Sequence, residues 1–389
     1  MGRRADAVVP MGDLAREYAD CRDEIDAAIA RVLASGRYVL DEELRAFEAA
    51  FAAYVGRRFA VGVASGSAAL QLALVAIGLE PGDEVITVPN SDSATVTAIT
   101  HAGGKVAWVD VDPETFNMSP AALEARISSR TRAVVPVHLF GQPADMDPLL
   151  EIARGHGAMV IEDAALAVGA EYRGRRVGSF GELACFSLAP SKILGGIGDG
   201  GVVVTDDPEL EQRLRVLRNY GHGSERTIDP DDLRGVDRWD VVTQGFNERL
   251  DSIHAAVVHA KLPTLEGRIA ARRRVADTYD AGLAGLQGVS VPHRLPHARH
   301  VFFAYVLLAD DQEQLRAGLA ARGVASRVHY VPPLHLQPAF RELGHGPGAF
   351  PVAESIAERM VGLPAFPQLT DRELEQVVAA VRDVIEDGA

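Results

Sequence analysis

Short apolar runs alternate with amphipathic stretches along the chain from about residue 58. Short apolar runs are typical of buried strands, whereas apolar residues spaced three or four apart are typical of helices. Seven runs predict strands, at residues 59–63, 84–88, 106–109, 133–137, 158–161, 183–188 and 201–205. Because strands that alternate with helices form parallel sheets covered on both faces, we predict an α/β fold built on a mainly parallel seven-stranded sheet.

The pattern changes in the second half of the chain. Residues 221–244 are polar and rich in Asp and Arg, which indicates a long surface loop that serves as a lid or a subunit contact. Residues 250–286 have helical periodicity and predict a connecting helix. Further elements are predicted as strands at 301–308 and 326–330 and helices at 312–322 and 371–385. We therefore expect a large domain, 1–250, with an N-terminal helical segment, and a connecting helix with a smaller α/β domain, 251–389.

Composition and charge narrow the classes of function. The 389 residues include 39 Lys and Arg against 54 Asp and Glu, a net charge of −15, which argues against a general nucleic-acid or anionic-membrane surface. The first residues lack the apolar stretch of a signal peptide, and no apolar segment is long enough to span a bilayer. Cys21 and Cys185 are far apart, so a disulfide framework is not expected. We expect a cytoplasmic protein.

A lysine and an aspartate follow two of the predicted strands. The run at 158–161 is followed directly by Glu162 and Asp163, and Lys192 lies between the run at 183–188 and the glycine-rich segment 195–201. Open α/β sheets bind ligands at the carboxyl ends of their strands. A lysine there can bind the aldehyde of pyridoxal 5′-phosphate (PLP) as a Schiff base and act as a general base, while a carboxylate keeps the ring nitrogen protonated. Taken alone, Asp163 could instead cap a turn, and Lys192 could be a solvated surface charge.

A phosphate site is predicted where strand 59–63 gives way to a helix. Ser65-Gly66-Ser67-Ala68 offers backbone N–H groups and hydroxyls at a helix start, whose dipole favours an anion, and Ser187 could supply another donor. The alternative is that Ser67 is a simple N-cap. The segment 195–201 lacks the order of a P-loop or a Rossmann fingerprint, which excludes a nucleotide hydrolase.

The histidines give no sign of a metal centre. His329 and His335 flank a proline-containing loop without metal-ligand spacing, so no metal is expected. His138 follows the strand at 133–137 and is predicted to be a hydrogen-bonded structural histidine, with a role in the pocket left open.

The order Asp163, Ser187, Lys192 resembles the DegT/DnrJ/StrS family of PLP-dependent sugar aminotransferases, and the similarity runs nearly end to end. Further matching stretches are Gly36-Arg37-Tyr38-Val39-Leu40, Ser65-Gly66-Ser67-Ala68-Ala69-Leu70, Gly82-Asp83-Glu84-Val85-Ile86, Pro136-Val137-His138-Leu139-Phe140-Gly141, Glu162-Asp163-Ala164-Ala165, Gly198-Asp199-Gly200-Gly201, Gly245-Phe246-Asn247-Glu248-Arg249-Leu250-Asp251 and His329-Tyr330. The resemblance implies fold type I of PLP-dependent transferases, the fold of aspartate aminotransferase, and a homodimer whose active site forms at the subunit interface.

The resemblance also implies roles for single residues. Lys192 would be the Schiff-base lysine and Asp163 the partner of the pyridine nitrogen. The phosphate would be held by Gly66, Ser67 and Ser187, and by Asn247 from the partner subunit. By sequence alone, Asn247 is more simply interpreted as a turn residue before a helix.

This chain departs from the family pattern beside the cofactor. Asp92 stands where the family usually has an aromatic ring that stacks on the cofactor, and Leu166 and Val168 replace a glutamine and a histidine. We expect Asp92, His329 and Tyr330 to contact the substrate.

The resemblance implies transfer of an amino group from glutamate or glutamine to a keto group of a nucleotide-activated deoxysugar, in amino-sugar or antibiotic biosynthesis. A keto-cyclitol of the scyllo-inosose type fits the same residues as acceptor. Deamination or elimination on a related sugar is a second alternative, motivated by Asp92 and Leu166. A catalytically silent binding or regulatory protein is a third. Related sugar 3-dehydratases have histidine at the position of Lys192, so that reaction is not expected.

Overall fold

The computed structural model describes residues 8–80, 82–223 and 241–387. The lid or subunit contact expected at residues 221–244 falls mostly on residues 224–240, which lie outside the described ranges. Within the described ranges, every helix is too short or too polar to cross a lipid bilayer.

Strands and helices alternate through the first half of the described chain. The strands are β1 (Phe59–Val63), β2 (Glu84–Thr87), β3 (Lys105–Trp108), β4 (Thr131–Val134), β5 (Met159–Asp163), β6 (Glu171–Tyr172), β7 (Arg175–Arg176), β8 (Leu183–Ser187), β9 (Gly201–Thr205), β10 (Val289–Ser290), β11 (Ala298–Arg299), β12 (Tyr305–Ala309) and β13 (Met360–Leu363). The helices are α1 (Leu14–Ala19), α2 (Arg22–Ser35), α3 (Glu42–Val55), α4 (Gly66–Ala76), α5 (Ser93–His101), α6 (Pro120–Arg126), α7 (Met146–Gly155), α8 (Pro208–Arg218), α9 (Ser252–Lys261), α10 (Leu265–Leu283), α11 (Gln312–Ala321), α12 (Pro351–Arg359) and α13 (Asp371–Asp387).

The central sheet has seven strands in the order β1-β9-β8-β5-β4-β2-β3. All its pairings are parallel except those of β9, which runs antiparallel to β8 and to β1. The mainly parallel seven-stranded sheet predicted from the sequence is therefore confirmed, with a strand at each of the seven predicted places.

Helices cover both faces of this sheet. Side chains alternate between the two faces along each strand, so a strand of apolar residues presents an apolar surface on both faces that must be buried. In β8, Phe186 points into the core beneath α3 and α9, whereas Cys185 points into the core beneath α4 and α8. The ring of Phe186 meets Phe51 of α3 edge-on, with 5.1 Å between the ring centroids. Both faces of the sheet are thus mainly apolar.

The C-terminal part contains a three-stranded sheet, β10-β12-β13, packed against α10, α11 and α13. Two details of the prediction are wrong. The strand expected at 326–330 is absent, because Tyr330 has a φ of 56°, in the left-handed region that ends a strand, and only Arg327 pairs with Gly362. The connecting helix is two helices, α9 and α10, joined by a short turn that contains Pro263, which has no N–H to continue a helix.

The expected division of the chain near residue 250 stays a prediction. Contacts between its two sides include the pairing of β11 with β6 and the bond of Arg16 of α1 to Glu373 of α13 at 2.8 Å. The N-terminal segment therefore packs on the C-terminal part as well as on the large sheet.

Candidate active site

Asp163 and Lys192 reach the same edge of the central sheet. Asp163 is the last residue of β5 and stands opposite Cys185 in the neighbouring parallel strand β8. Strand β8 ends at Ser187, and the chain then turns outward to Lys192. The amine of Lys192 and the carboxylate of Asp163 interact electrostatically. The structure thus brings the two predicted groups together, although they are far apart in the sequence.

The Asp163 carboxylate is buried and held by two hydrogen bonds. The Thr95 hydroxyl donates to Oδ2 at 2.8 Å, and the Ala165 amide donates to Oδ1 at 3.2 Å. Burial raises the pKa of Asp163 above its usual value, and these hydrogen bonds and the Lys192 charge oppose that rise only in part. The alternative role of Asp163 as a turn cap explains the hydrogen bond to Oδ1 only. A buried carboxylate with so few donors is stabilised by a cationic group beside it.

Lys192 is half-buried rather than a solvated surface charge. Its amine lies 5.1 Å from the centre of the Phe303 ring. Burial lowers the pKa of the amine, against the opposing charges of Asp163 and Asp92. A lowered pKa enlarges the fraction of neutral amine, which is the form that attacks an aldehyde.

The loop that carries Lys192 is closed at its base. The Leu188 amide donates to the Gly200 carbonyl at 2.7 Å, and the Lys192 amide donates to the Ala189 carbonyl at 2.9 Å. A buried lysine, Lys261 of α9, also donates to the backbone carbonyl of Gly195 within the loop. These bonds fix the backbone from which the Lys192 side chain extends.

The predicted phosphate site lies at the N-terminus of α4. The N-cap of this helix is Ser65, whose hydroxyl accepts from the Ala68 amide at 3.0 Å, so the N-cap interpretation of Ser67 is wrong. Among the described residues, the N–H groups of Gly66 and Ser67 have no hydrogen-bond acceptor. Two free N–H groups at the positive end of a helix favour an anion.

Close backbone approach gives this site its shape. A Cβ on Gly66 would lie 2.7 Å from the Cβ of Ser187, and one on Gly201 would overlap the Ser65 carbonyl oxygen. Only glycine at these two positions lets α4, β8 and β9 meet so closely. The hydroxyl of Ser187 therefore lies directly beside the free N–H groups of α4.

These groups fit PLP as the sequence predicts it. Free helix N–H groups and a hydroxyl suit a phosphate, a half-buried amine suits an aldehyde, and a buried carboxylate suits a protonated ring nitrogen. They come from the neighbouring strands β5 and β8 and from the helix that starts beside them.

Asn247 lies on the surface of the chain. Its backbone pairs with Asn219, and the next residue, Glu248, accepts at 3.2 Å from the Ala64 amide, just before the phosphate site. The segment that carries Asn247 therefore runs beside the start of α4, while its side chain faces outward.

Two of the three expected substrate residues, Asp92 and Tyr330, lie at the same edge, and the third, His329, packs against Phe140 and Gly362 of β13. Asp92 is exposed and caps α5 by accepting from the Ala94 amide at 3.0 Å, and its charge acts on both Lys192 and Tyr330. Tyr330 stacks on Phe140 with 6.1 Å between ring centroids. Burial, reinforced by the charge of Arg327, lowers the pKa of His329 to about 4, so this histidine is neutral near pH 7.

His138 has the structural role that the sequence predicts. It is buried, its Nδ1 accepts from the Ala144 amide at 3.0 Å, and its Nε2 lies 3.1 Å from Glu162. Since Nδ1 accepts, Nε2 carries the proton and donates to Glu162. Of the two adjacent carboxylates at the end of β5, Glu162 is thus committed to the core, and Asp163 serves the site.

Sequence reasoning missed two side chains of the site. Thr95, a hydroxyl within an apolar helical stretch, contacts Asp163, and Phe303, an aromatic in a predicted strand, lies under the Lys192 amine. The unusual residues Leu166 and Val168 are both buried in apolar clusters. They pack in the core and offer no polar contact to a ligand.

Comparison with known proteins gives a consistent result. The model of the DegT/DnrJ/EryC1/StrS aminotransferase family matches residues 19–382. The chain is 44% identical over 375 residues to the dTDP-3-amino-3,4,6-trideoxy-alpha-D-glucose transaminase of Streptomyces venezuelae, covering 96% of each chain. It is 40% identical to the UDP-N-acetyl-3-dehydro-alpha-D-glucosamine 3-aminotransferase of Acidithiobacillus ferrooxidans, covering 96% of this chain and 97% of that protein. Its fold matches the crystal structure of S. venezuelae DesV in complex with a ketimine intermediate, with a TM-score of 0.92 and 44% identity, over 98% of this chain and 99% of that one.

Proposed function

Because the chain belongs to the DegT/DnrJ/EryC1/StrS aminotransferase family, we propose that it uses PLP to move an amino group from glutamate or glutamine to a keto group of a nucleotide-activated deoxysugar. The observation that carries this proposal is the meeting of Lys192, Asp163 and the free N–H groups of α4 at one edge of the sheet. Amino-sugar biosynthesis is the corresponding pathway class, and the two sugar-aminating relatives support it.

Each end of the cofactor has its own group in this chain. Gly66, Ser67 and Ser187 bind the phosphate through N–H and hydroxyl donors. The Asp163 carboxylate holds a proton on the ring nitrogen, since a buried carboxylate is stabilised by a cation in contact with it. When bound, PLP supplies an electron sink for the bonds at the substrate carbon.

Lys192 does two jobs in turn. With PLP bound, Nζ would hold the cofactor through its aldehyde carbon, with the aldehyde oxygen leaving as water, and, once the amino donor has displaced it, Nζ would serve as the general base at the substrate carbon. Burial favours both jobs, because it lowers the pKa of Nζ and so keeps a share of the amine unprotonated. Phe303 beneath the amine limits the directions in which the side chain can swing.

The active site is completed by a second copy of the chain in this proposal. Asn247 faces outward, as a residue that reaches the phosphate of a partner subunit requires. We further infer that the homodimer acts in the cytoplasm on small molecules, without nucleic acid or membrane. The net charge of −15 and two buried, unpaired cysteines support this.

The acceptor lies between Asp92 and the His329-Tyr330 segment in this proposal. The two segments are joined where the Leu334 amide donates to the Pro89 carbonyl at 2.7 Å. The exposed carboxylate of Asp92 offers hydrogen-bond acceptors to hydroxyl groups of a sugar, in place of an aromatic face. Neutral His329 and stacked Tyr330 would form the opposite wall.

Two half-reactions test the proposal. Purified protein is loaded with PLP, and the visible absorbance of the cofactor is followed as L-glutamate is added. An acceptor is then added in separate experiments: a keto sugar linked to dTDP, a keto sugar linked to UDP, or a keto-cyclitol without a nucleotide. We expect the band to vanish with glutamate and to return only with a nucleotide-linked keto sugar, which leaves an amino sugar. Lys192→Ala should abolish the cycle, whereas Lys105→Ala, an exposed lysine of β3, should not.

Other outcomes select another function. Recovery with the cyclitol alone would make this chain a cyclitol aminotransferase. Ammonia without an amino product would indicate deamination. A protein that binds no PLP, even on reconstitution, would be a silent member of the family.

A further inference from the structure

A chain of buried hydroxyl groups leads from the N-terminus of α5 to Asp163. The Ser91 hydroxyl donates to the Thr95 hydroxyl oxygen at 2.9 Å, and the Thr95 hydroxyl donates to Oδ2 of Asp163 at 2.8 Å. All three side chains are buried, with exposed fractions of 1%, 1% and 4%. The two hydroxyl groups are therefore shielded from water, and the Ser91 hydroxyl has the Asp92 carbonyl, at 3.1 Å, as a second acceptor.

We propose that Thr95, oriented by Ser91, is a positioning residue that holds the Asp163 carboxylate ionised and correctly turned toward the cofactor nitrogen. This inference rests on the proposed PLP-dependent function. It adds a hydroxyl group that does not contact the substrate but acts on the reaction through Asp163.

The direction of the Thr95 hydroxyl distinguishes it from an ordinary helical threonine. Threonine hydroxyls in helices usually bond a carbonyl in the preceding turn of their own helix. Thr100 does so, since its hydroxyl donates to the Thr97 carbonyl at 3.0 Å. The hydroxyl of Thr95 instead leaves α5 and reaches β5 in the central sheet, which joins the two elements directly at the site.

Thr95 is well suited to set both the angle and the charge of this carboxylate. One oxygen of Asp163 is fixed by the Ala165 amide and the other by Thr95, so the carboxylate plane cannot rotate freely. A hydrogen bond to an ionised oxygen is charge-assisted and favours that form. The hydroxyl thus lowers the pKa of Asp163 against the effect of burial.

No second side chain can take over this task. Among the described residues, Thr95 is the sole side chain that donates a hydrogen bond to Asp163. Leu166 and Val168, which follow Asp163 closely, are apolar and packed in the core. Loss of the Thr95 hydroxyl would therefore leave one oxygen of a buried carboxylate without a donor.

The test compares four variants of the full-length protein. Thr95→Val keeps the shape and removes the hydroxyl, Thr95→Ser restores a hydroxyl, and Ser91→Ala removes the outer hydroxyl. Thr100→Val is the matched control, because it removes a hydroxyl of the same helix that does not contact Asp163. The readouts are the dissociation constant of PLP and the pH titration of the visible band without substrate.

We expect Thr95→Val to weaken PLP binding about tenfold, the size of one charge-assisted hydrogen bond. We also expect the pH midpoint of the visible band to rise. A pyridine ring that holds its proton less tightly withdraws less electron density from the nitrogen that joins the cofactor to Lys192, and that nitrogen then keeps its proton to a higher pH. Thr95→Ser should return both values to those of the native protein, and Ser91→Ala should give a smaller shift in the same direction. Thr100→Val should behave as the native protein.

The outcomes separate this inference from the function on which it rests. A native protein that binds no PLP would refute the proposed function. A native protein that binds PLP, with Thr95→Val indistinguishable from Thr100→Val, would overturn the positioning role alone. Equal losses in Thr95→Val and Thr95→Ser would also overturn it, since packing rather than the hydroxyl would then matter. Should Thr95→Val not fold, an unchanged titration in Ser91→Ala would overturn it as well.

Discussion

Replacing Gly66 by alanine should damage the phosphate site more than the fold. A Cβ at this position would lie 2.7 Å from Cβ and 3.2 Å from Cα of Ser187. Both atoms are fixed by the backbone of a central strand, so no rotamer change relieves the contact. Either α4 or β8 must move by several tenths of an ångström, and overpacking of this kind costs about 1–3 kcal/mol. Alanine recovers about 0.5–1 kcal/mol of chain entropy, which leaves a net loss of at most about 2.5 kcal/mol.

The free energy of unfolding can be measured by urea titration and PLP binding by fluorescence. The shift occurs where the phosphate binds, so we expect the dissociation constant of PLP to rise at least about tenfold, the equivalent of 1.4 kcal/mol. Gly267→Ala is the matched control: this glycine lies in α10, where an added Cβ would meet no atom within 4 Å, and alanine there should stabilise the protein by up to about 1 kcal/mol. If Gly66→Ala bound PLP as tightly as Gly267→Ala, the close packing of α4 on β8 would have no part in cofactor binding.

Three further substitutions test the supporting structure. Phe51→Ala should lower the free energy of unfolding by about 3–5 kcal/mol in urea titration, because it empties a fully buried site against Phe186; a loss under about 1 kcal/mol would contradict that packing. Glu162→Gln should cost about 3 kcal/mol, since Glu162 accepts from three backbone amides and His138 in the core. The Arg16 hydrogen bond lowers the pKa of Glu373 to about 2, so the contribution of this pair is present above the unfolded pKa near 4.3 and is lost as the pH falls toward 2. Glu373→Gln should therefore melt below the native protein at pH 7, with the gap in Tm closing by about pH 2, and a gap that did not change with pH would exclude this pair.

The large sheet was predictable because its strands are buried on both faces. Such strands appear as nearly continuous apolar runs, which local pattern detects well. Short strands elsewhere in the chain were harder to recognise. Strand β13 follows directly on α12 and contains Gly362, while β6, β7 and β11 have two residues each. The expected strand at 326–330 has suitable side chains, but its end at Tyr330 takes a backbone conformation that no periodicity reveals.

The candidate site was predictable to the extent that it follows strand ends. Asp163, Ser187 and Lys192 were found because the carboxyl edge of a parallel sheet is where ligands bind, and the structure places all three there. Their roles stay predictions until they are tested. The Thr95 hydroxyl and the Phe303 ring belong to elements distant in sequence, and their contacts depend on how α5 and the C-terminal part dock. Pairwise docking of this kind leaves no local signal in the chain.

The thiol of Cys185 can serve as a probe of how often the central sheet opens locally. It stands opposite Asp163 in the sheet, and burial raises its pKa well above the ordinary value of a thiol. Thiolate rather than thiol reacts with alkylating reagents, so labelling of Cys185 must wait until the sheet separates at that point. The rate at which Cys185 is alkylated can be separated from that of Cys21 by peptide mass spectrometry. This rate would report how often β5 and β8 separate. A lower rate with ligand bound would show how strongly the ligand suppresses that separation.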